Sequence, residues 1–342
     1  MMNEATGQAV FFALLRSGLW ERPLTDDERE AVAALGTDDW AELVTLARRQ
    51  TVPGLFYRAL AQLPAGFPVP GDIVLELMSL AGGIERENRL HDTVTEQLFA
   101  ESAGAGLHPV VMKGSAIAVY YAHPELRSSG DIDLYFPPDE FARALAVFGG
   151  ERASDGTVHL QRDGVDIDLH DRYFDLHCAA DRLPEVGTPE ATILMLSAHI
   201  LKHAVGAGIG IRQCCDLAAA FHALADALDP AALRDLFRRT GTFRWNRLLF
   251  SFLADVLDLP ETVFAGERVS SQPLLRIIQE GGNFGHHAAA RTKALQAGER
   301  RRKWNTFGRF LHRLPFSLRY APRETVATIA NLVRGNLRLR RR

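Results

Sequence analysis

Ser128-Ser129-Gly130-Asp131-Ile132-Asp133-Leu134-Tyr135-Phe136 opens with three turn-forming residues and continues as a polar–apolar alternation. Such alternation is the mark of a half-buried strand. On it Asp131 and Asp133 share one face, about 7 Å apart along the chain, while Ile132 and Leu134 take the other. Val165-Asp166-Ile167-Asp168-Leu169-His170 repeats the device, with Asp166 and Asp168 on one face and Val165, Ile167 and Leu169 toward a core. Asp166 reads as solvated. His170, close behind Asp168, reads as facing away from it and as a buried, hydrogen-bonded side chain. If the two strands are neighbours, three or four carboxylates converge, and such a cluster repels itself unless a cation neutralises it. Oxygen-only donors point to magnesium, whose shell phosphates complete.

Working outward, His108-Pro109-Val110-Val111-Met112 is a short apolar run of strand type, followed by Lys113-Gly114-Ser115 and a short helix over Ala116–Ala122. A glycine at a strand-to-helix junction lets backbone N–H groups approach a phosphate, Ser115 adds a hydroxyl donor, and the helix start favours an anion. Lys113 and Arg127 are the candidate charges for a triphosphate. Pro138-Asp139-Glu140 start a helix through Val147. Thr157–Gln161 and Val165–His170 form two strands joined by the hairpin turn Arg162-Asp163-Gly164. An anion cradle beside a carboxylate cluster is what metal-assisted phosphoryl or nucleotidyl transfer requires.

Helical periodicity surrounds this core. Residues 1–84 form a helical region, with acids Asp26–Glu28 and Asp38–Asp39 at helix starts and a proline-rich break over Pro64–Pro70. Asp72 to about Ala103 reads as one long helix or two, with Gly82-Gly83 as a kink or break. Residues 85–187 form the core, 188–299 a C-terminal helical domain beginning at the Thr188-Pro189-Glu190 cap, and 300–342 a basic amphipathic segment. The later helices fall at 212–227, 230–239 and 244–257. The fold class is therefore α/β (α+β), a small mixed-sheet core embedded in N- and C-terminal helical regions and mostly helical overall.

The 342 residues are 47% hydrophobic and 24% charged, which excludes a disordered or collagen-like chain. Three cysteines, Cys178, Cys214 and Cys215, make no CxxC pair, so neither a disulfide framework nor a thiolate zinc site is expected, and a reducing cytoplasm is the expected location. No run approaches the roughly 18 apolar residues of a membrane span, and the first residues lack the pattern of a secretory signal. Residues 300–342 hold 13 Lys or Arg against Glu324 alone, a net of +12 that leaves −15 on the rest. Trp304, Phe307, Phe310, Leu311, Leu314, Phe316 and Leu318 interleave with those charges. That favours apolar packing on an acidic body over a polyanion contact, so nucleic acid is not the favoured partner.

Other motifs carry less. His199 and His203 have zinc-pair spacing on a helix, but Ile200 stands where a metalloprotease needs its acid, so they read as pocket-lining or core residues. Gly206, Gly208 and Gly210 resemble part of a dinucleotide fingerprint, yet they follow a helix instead of a strand. There is no Gly-x-Ser-x-Gly elbow and no complete phosphate-binding loop.

The order Gly-Ser, then Asp-x-Asp on a strand, then a lone carboxylate on a later strand resembles the DNA polymerase beta-type nucleotidyltransferase superfamily. More narrowly, Met112-Lys113-Gly114-Ser115, Tyr121-x-x-Pro124-x-Leu126-Arg127, Gly130-Asp131-Ile132-Asp133-Leu134 and Asp168-Leu169-His170 are similar to an uncharacterised bacterial nucleotidyltransferase-like family. The resemblance spans residues 85–335, with its sharp motifs between 112 and 170. It implies that Asp131 and Asp133 bind the metals holding a nucleoside triphosphate. Asp168 would bind the second of two Mg2+ ions and help deprotonate an acceptor hydroxyl, and Gly114 and Ser115 would cradle phosphates. Two features depart from the superfamily pattern: the Ser115-to-Asp131 spacing is long, and Asp168 stands where Glu is more usual.

The expected activity is transfer of a nucleoside monophosphate from an NTP, ATP being the first choice, to a hydroxyl of a small molecule, peptide or sugar, with release of pyrophosphate. The acceptor would lie between the core and the C-terminal helices. The alternatives are a non-catalytic nucleotide- or partner-binding protein on the same fold and a peptide- or sugar-modifying transferase in a biosynthetic pathway.

Overall fold

The computed structural model describes residues 4–153, 156–205, 208–259, 263–264, 266–281 and 312–339. The chain divides into two compact units, Met1–Tyr173 and Phe174–Arg342.

The first unit begins with α1 (Glu4–Trp20), α2 (Asp26–Ala33), α3 (Thr37–Arg49), α4 (Pro53–Ala61) and α5 (Gly71–Gly104). Their starts follow from local chemistry. Thr25 Oγ1 accepts from Glu28 N while Thr25 N donates to the Glu28 carboxylate, a reciprocal cap for α2. At α3, Gly36 N donates to Asp39 Oδ2 over 3.1 Å, and the inward stripe is Trp40, Leu43, Val44 and Ala47. The α1–α4 crossing is closest at Gly18, where a Cβ would stand 1.8 Å from the Leu55 carbonyl oxygen. The prolines 64–70 fall between α4 and α5, as read. Of the two readings offered for the segment, the single long helix is the one present: α5 runs for 34 residues through Gly82 and Gly83. The two glycines cost roughly 2 kcal/mol of helix propensity. Buried Ile73, Leu77, Ala81, Ile84, Val94 and Leu98 outweigh that cost by packing.

The sheet contains β1 (Val110–Val111), β2 (Ile132–Tyr135), β3 (Glu151–Arg152), β4 (Val158–Arg162) and β5 (Val165–His170), in the order β1-β2-β5-β4-β3. β2 and β5 are parallel and the other neighbours antiparallel. One face is dry: Ile132, Leu134, Val165, Ile167 and Leu169 pack with Val94 and Leu98 of α5 and with Phe141 and Ala144 of α7 (Pro138–Phe148). The opposite face carries the aspartates. Asp163 (φ 50°) and Gly164 (φ 83°) make the two-residue hairpin loop between β4 and β5, and both adopt the positive φ that a type I′ turn needs. Two details differ from the sequence reading. The two-residue strand β3 carries no periodic signal. The helix expected over 116–122 is the single turn α6 (Ser115–Ala118), after which Tyr120 and Tyr121 close tighter i to i−3 bonds.

The second unit comprises α8 (Pro189–Val205), α9 (Ile211–Leu224), α10 (Pro230–Thr240), α11 (Phe243–Leu257), α12 (Gln272–Gly281), a helix over 312–320 and the terminal helix Pro322–Leu339. Thr188 Oγ1 accepts from Ala191 N, so the expected cap of α8 is present. A buried polar network joins α8 to α11: Ser197 Oγ donates to Asn246 Oδ1 (2.6 Å), Trp245 Nε1 to Ser197 O (3.0 Å), and Asn246 Nδ2 to Thr242 O (3.2 Å). Glu324, the lone acid of the basic end, receives the His177 N–H and lies 2.7 Å from the His177 ring. Phe316 meets Trp245 edge-on, while Leu318 is exposed. Trp304, Phe307, Phe310 and Leu311, like Gly206, lie outside the described residues. Among the described residues no helix is long and apolar enough to cross a membrane.

Candidate functional site

Parallel pairing of β2 with β5 sets Asp133 beside Asp168 and Tyr135 beside His170. The antiparallel pairing of β4 on the far side of β5 sets His159 opposite Asp168. From the other edge, Met112 N donates to the Asp133 carbonyl over 3.0 Å, which brings the following residue, Lys113, to the same spot. Gly114 then adopts φ +62°, a conformation costly for any residue with a Cβ, and turns the chain into α6 beside the Asp131 carbonyl.

The centre of the site is the carboxylate of Asp133, a buried residue. Lys113 Nζ donates to its Oδ1 over 2.7 Å, and His170 Nε2 lies 2.8 Å from the same oxygen. Burial alone would raise the Asp133 carboxyl, but the Lys113 charge and the His170 hydrogen bond hold it well below the usual carboxylate range. The Asp168 carboxylate is hydrogen-bonded to His159 Nδ1. Asp131 stands just before β2, and its carboxyl is pushed up. The first cause is lost hydration of the carboxyl; repulsion from Asp133 and Asp168 adds to this, and Lys113 offsets it in part.

Carboxylate oxygens of Asp133 and Asp168 and a ring nitrogen of His170 all lie within 4.8 Å of one another, close enough for one divalent cation. Of the residues singled out from sequence, Lys113, Asp133 and Asp168 therefore meet at one place. Asp131 borders it within electrostatic reach but is not among the three converging donors. Gly114 and half-buried Ser115 form the adjoining strand-to-helix junction. Arg127 is buried; its Nη1 donates to Ser128 O over 3.3 Å, and its carbonyl accepts from Asn88 Nδ2. Asp166 is exposed and takes a hydrogen bond from Gln161. In the second unit, the His199 and His203 rings pack edge to face with centroids 4.5 Å apart, and Lys202 pairs with Asp175.

Two participants escaped the sequence reading. His170 does not face away from Asp168: it is two residues further on, and a strand's period of two puts both on one face. Counting positions was signal enough. His159 is different, because its place opposite Asp168 follows from the β4–β5 register, which the sequence only hints at through the Asp163-Gly164 turn.

No curated protein and no solved structure is matched by the chain. A family model described as "uncharacterised nucleotidyltransferase" matches residues 36–258, about two thirds of the chain. The match begins well upstream of residue 85, where the sequence resemblance began, and ends before the basic C-terminal segment. It contains every residue of the acidic face just described. With the strand-borne aspartates, the Gly-Ser junction and this match in agreement, the chain belongs to the uncharacterised nucleotidyltransferase family.

Proposed function

We propose that the protein is a divalent-cation-dependent nucleotidyltransferase of the DNA polymerase beta type. It would move a nucleoside monophosphate from an NTP, with ATP as the first choice, to a hydroxyl of a small molecule, peptide or sugar. The observation that carries this reading is the β2–β5 register, which sets Asp133 beside Asp168 on the open face of the sheet. The donor set fits a cation, since three ligand atoms already lie within one coordination sphere's reach of each other. Asp131, Asp133 and Asp168 would hold two such ions, Mg2+ on the oxygen-donor argument. When bound, the ions neutralise charge on the triphosphate and on the acids.

The chain's own groups do the rest. The backbone at Gly114 and the Ser115 hydroxyl cradle phosphate oxygens, and Lys113 and Arg127 supply positive charge to them. Asp168 draws off the acceptor's proton as the acceptor oxygen bonds to the α-phosphorus. The bond from that phosphorus to the bridging oxygen breaks, and pyrophosphate leaves with the electron pair. The reaction would take place in the cytoplasm.

The test is pyrophosphate release from each of the four NTPs, with pooled hydroxyl-bearing metabolites, peptides and sugars as acceptors. The wild type should release pyrophosphate and add NMP to a product detectable by mass, while Asp133→Asn and Asp168→Asn should do neither. Equal release by the wild type and both variants would refute the proposal. A second reading, a non-catalytic nucleotide- or partner-binding protein, draws on the Lys113–Asp133 ion pair, which supplies a countercharge from within the chain. Under that reading NTP binds but no pyrophosphate forms.

A further inference from the structure

Oxygen donors alone favour magnesium, whereas the folded site adds a nitrogen. His170 shares its strand face with Asp168, and its Nε2 lies 2.8 Å from Asp133 Oδ1. Neighbouring ligand atoms on an octahedral ion bound at about 2.1 Å stand about 3 Å apart. His170 and Asp133 are thus already spaced as adjacent ligands. Asp168, opposite Asp133 in the register, completes a triangle of donors within 4.8 Å. On an empty site Nε2 can share a proton with Asp133. With the ring proton moved to Nδ1, the Nε2 lone pair is free to face a cation instead.

We propose that His170 is itself a metal ligand, so that the face bearing Asp133, Asp168 and His170 selects a first-row transition cation such as Mn2+ over Mg2+. The inference rests on the reading that this face holds a divalent cation at all. Its physical basis is donor chemistry. Mg2+ demands near-ideal oxygen coordination and gives up its water reluctantly. Imidazole nitrogen suits the transition ions, and carboxylate is shared ground for Mn2+ and Mg2+. A set of two carboxylates and one imidazole therefore penalises Mg2+ at one of its three positions.

The experiment uses the full-length protein at fixed pH with Mn2+ as the probe. Bound and free Mn2+ are quantified by electron paramagnetic resonance, Mg2+ is titrated in as competitor, and nitrogen coupling is read by pulsed methods on natural-abundance and 15N-histidine-labelled protein. The expected result is Mn2+ held at least tenfold more tightly than Mg2+, with a directly bound 14N signal that converts to 15N on labelling. His170→Gln should abolish the signal and shrink the preference to threefold or less, and His222→Gln, at an exposed position on α9, should leave both in place. The labelling arm needs no variant, so a His170→Gln protein that failed to fold would not blunt the test. Bound Mn2+ without nitrogen coupling, or a preference that survives in folded His170→Gln, would overturn the assignment of His170 while leaving the metal-dependent reading intact. Failure of either ion to bind the wild type, with or without NTP, would overturn both.

Discussion

Replacing Lys113 by Met removes the ammonium that stands 2.7 Å from Asp133 Oδ1 and keeps a stem of similar length. The two side chains are 16% and 4% exposed, so water screens the pair poorly. At an effective dielectric constant near 20, unit charges at this separation attract by roughly 6 kcal/mol before desolvation is counted. Removing one partner of a buried pair costs about 3–5 kcal/mol net. His170 still reaches the same oxygen, which places the expected loss at the lower end, about 3 kcal/mol. For a unit of this size that is a fall in melting temperature of about 6–12 °C.

Calorimetry at pH 7 in a chelator should show this fall, and saturating divalent cation should recover most of it, because the cation replaces the lost charge beside Asp133. Asp133→Asn in the Lys113→Met background should also recover stability, giving a coupling of about 2 kcal/mol in the double-mutant cycle. The pH dependence has a fixed sign. The Asp133 carboxyl is depressed in the fold, so its contribution is present above the ordinary carboxylate value of 3.8 and disappears as pH falls below it. The gap between wild type and Lys113→Met must therefore narrow in acid. A Lys113→Met protein as stable as wild type in chelator, or one whose deficit the cation leaves unchanged, would show that Lys113 does not serve as the countercharge of Asp133.

Four further substitutions probe the scaffold. Glu28 lies at about 2: burial would raise it, but hydrogen bonds from Arg22, Arg16 and the Thr25 N–H outweigh that. Its stabilisation is present above pH 4.5 and lost as pH falls toward 2, so Glu28→Gln should cost about 2 kcal/mol at pH 7 and progressively less below pH 4.5 in urea titrations. Gly18→Ala drives a methyl to 1.8 Å from a backbone oxygen of α4 and should cost at least 1–3 kcal/mol by thermal melt. Gly71→Ala, which meets open space, should cost nothing measurable. Asn246→Ala takes the acceptor from the buried Ser197 hydroxyl and the amide donor from Thr242, which keeps Thr240 as a partner, and should lower the stability of the second unit by about 3 kcal/mol in denaturant titrations.

The strands of the acidic face were legible because one of their faces is dry. Asp131-Ile132-Asp133-Leu134 and Asp166-Ile167-Asp168-Leu169 each alternate, and every apolar member is buried, with Asp133 the one aspartate that is buried too. The caps at Thr188 and at the Asp26–Glu28 start were legible because capping is local chemistry. What escaped was set by pairing and by packing. Strand order decided that Lys113 would reach Asp133 and His159 would reach Asp168, and no single strand encodes that. At Gly82-Gly83 local propensity leaves one helix or two open, and tertiary contacts along α5 make it one. β3 is too short to show a period. His170 was within reach of simple counting, and its correct placement adds a nitrogen donor to what had read as an all-oxygen site.

Every step proposed above depends on binding of a nucleoside triphosphate together with a divalent cation on this acidic face. A thermal-shift panel of ATP, GTP, CTP and UTP, each with and without Mg2+ or Mn2+, tests it directly on wild type, Asp168→Asn and Asp133→Asn. A triphosphate at about 100 times its dissociation constant should add roughly 2.7 kcal/mol, an upward shift of several degrees. At least one triphosphate should give such a shift, dependent on the cation and absent from both variants. Folded wild-type protein that shifts with no triphosphate, or that shifts equally in both variants, would contradict it.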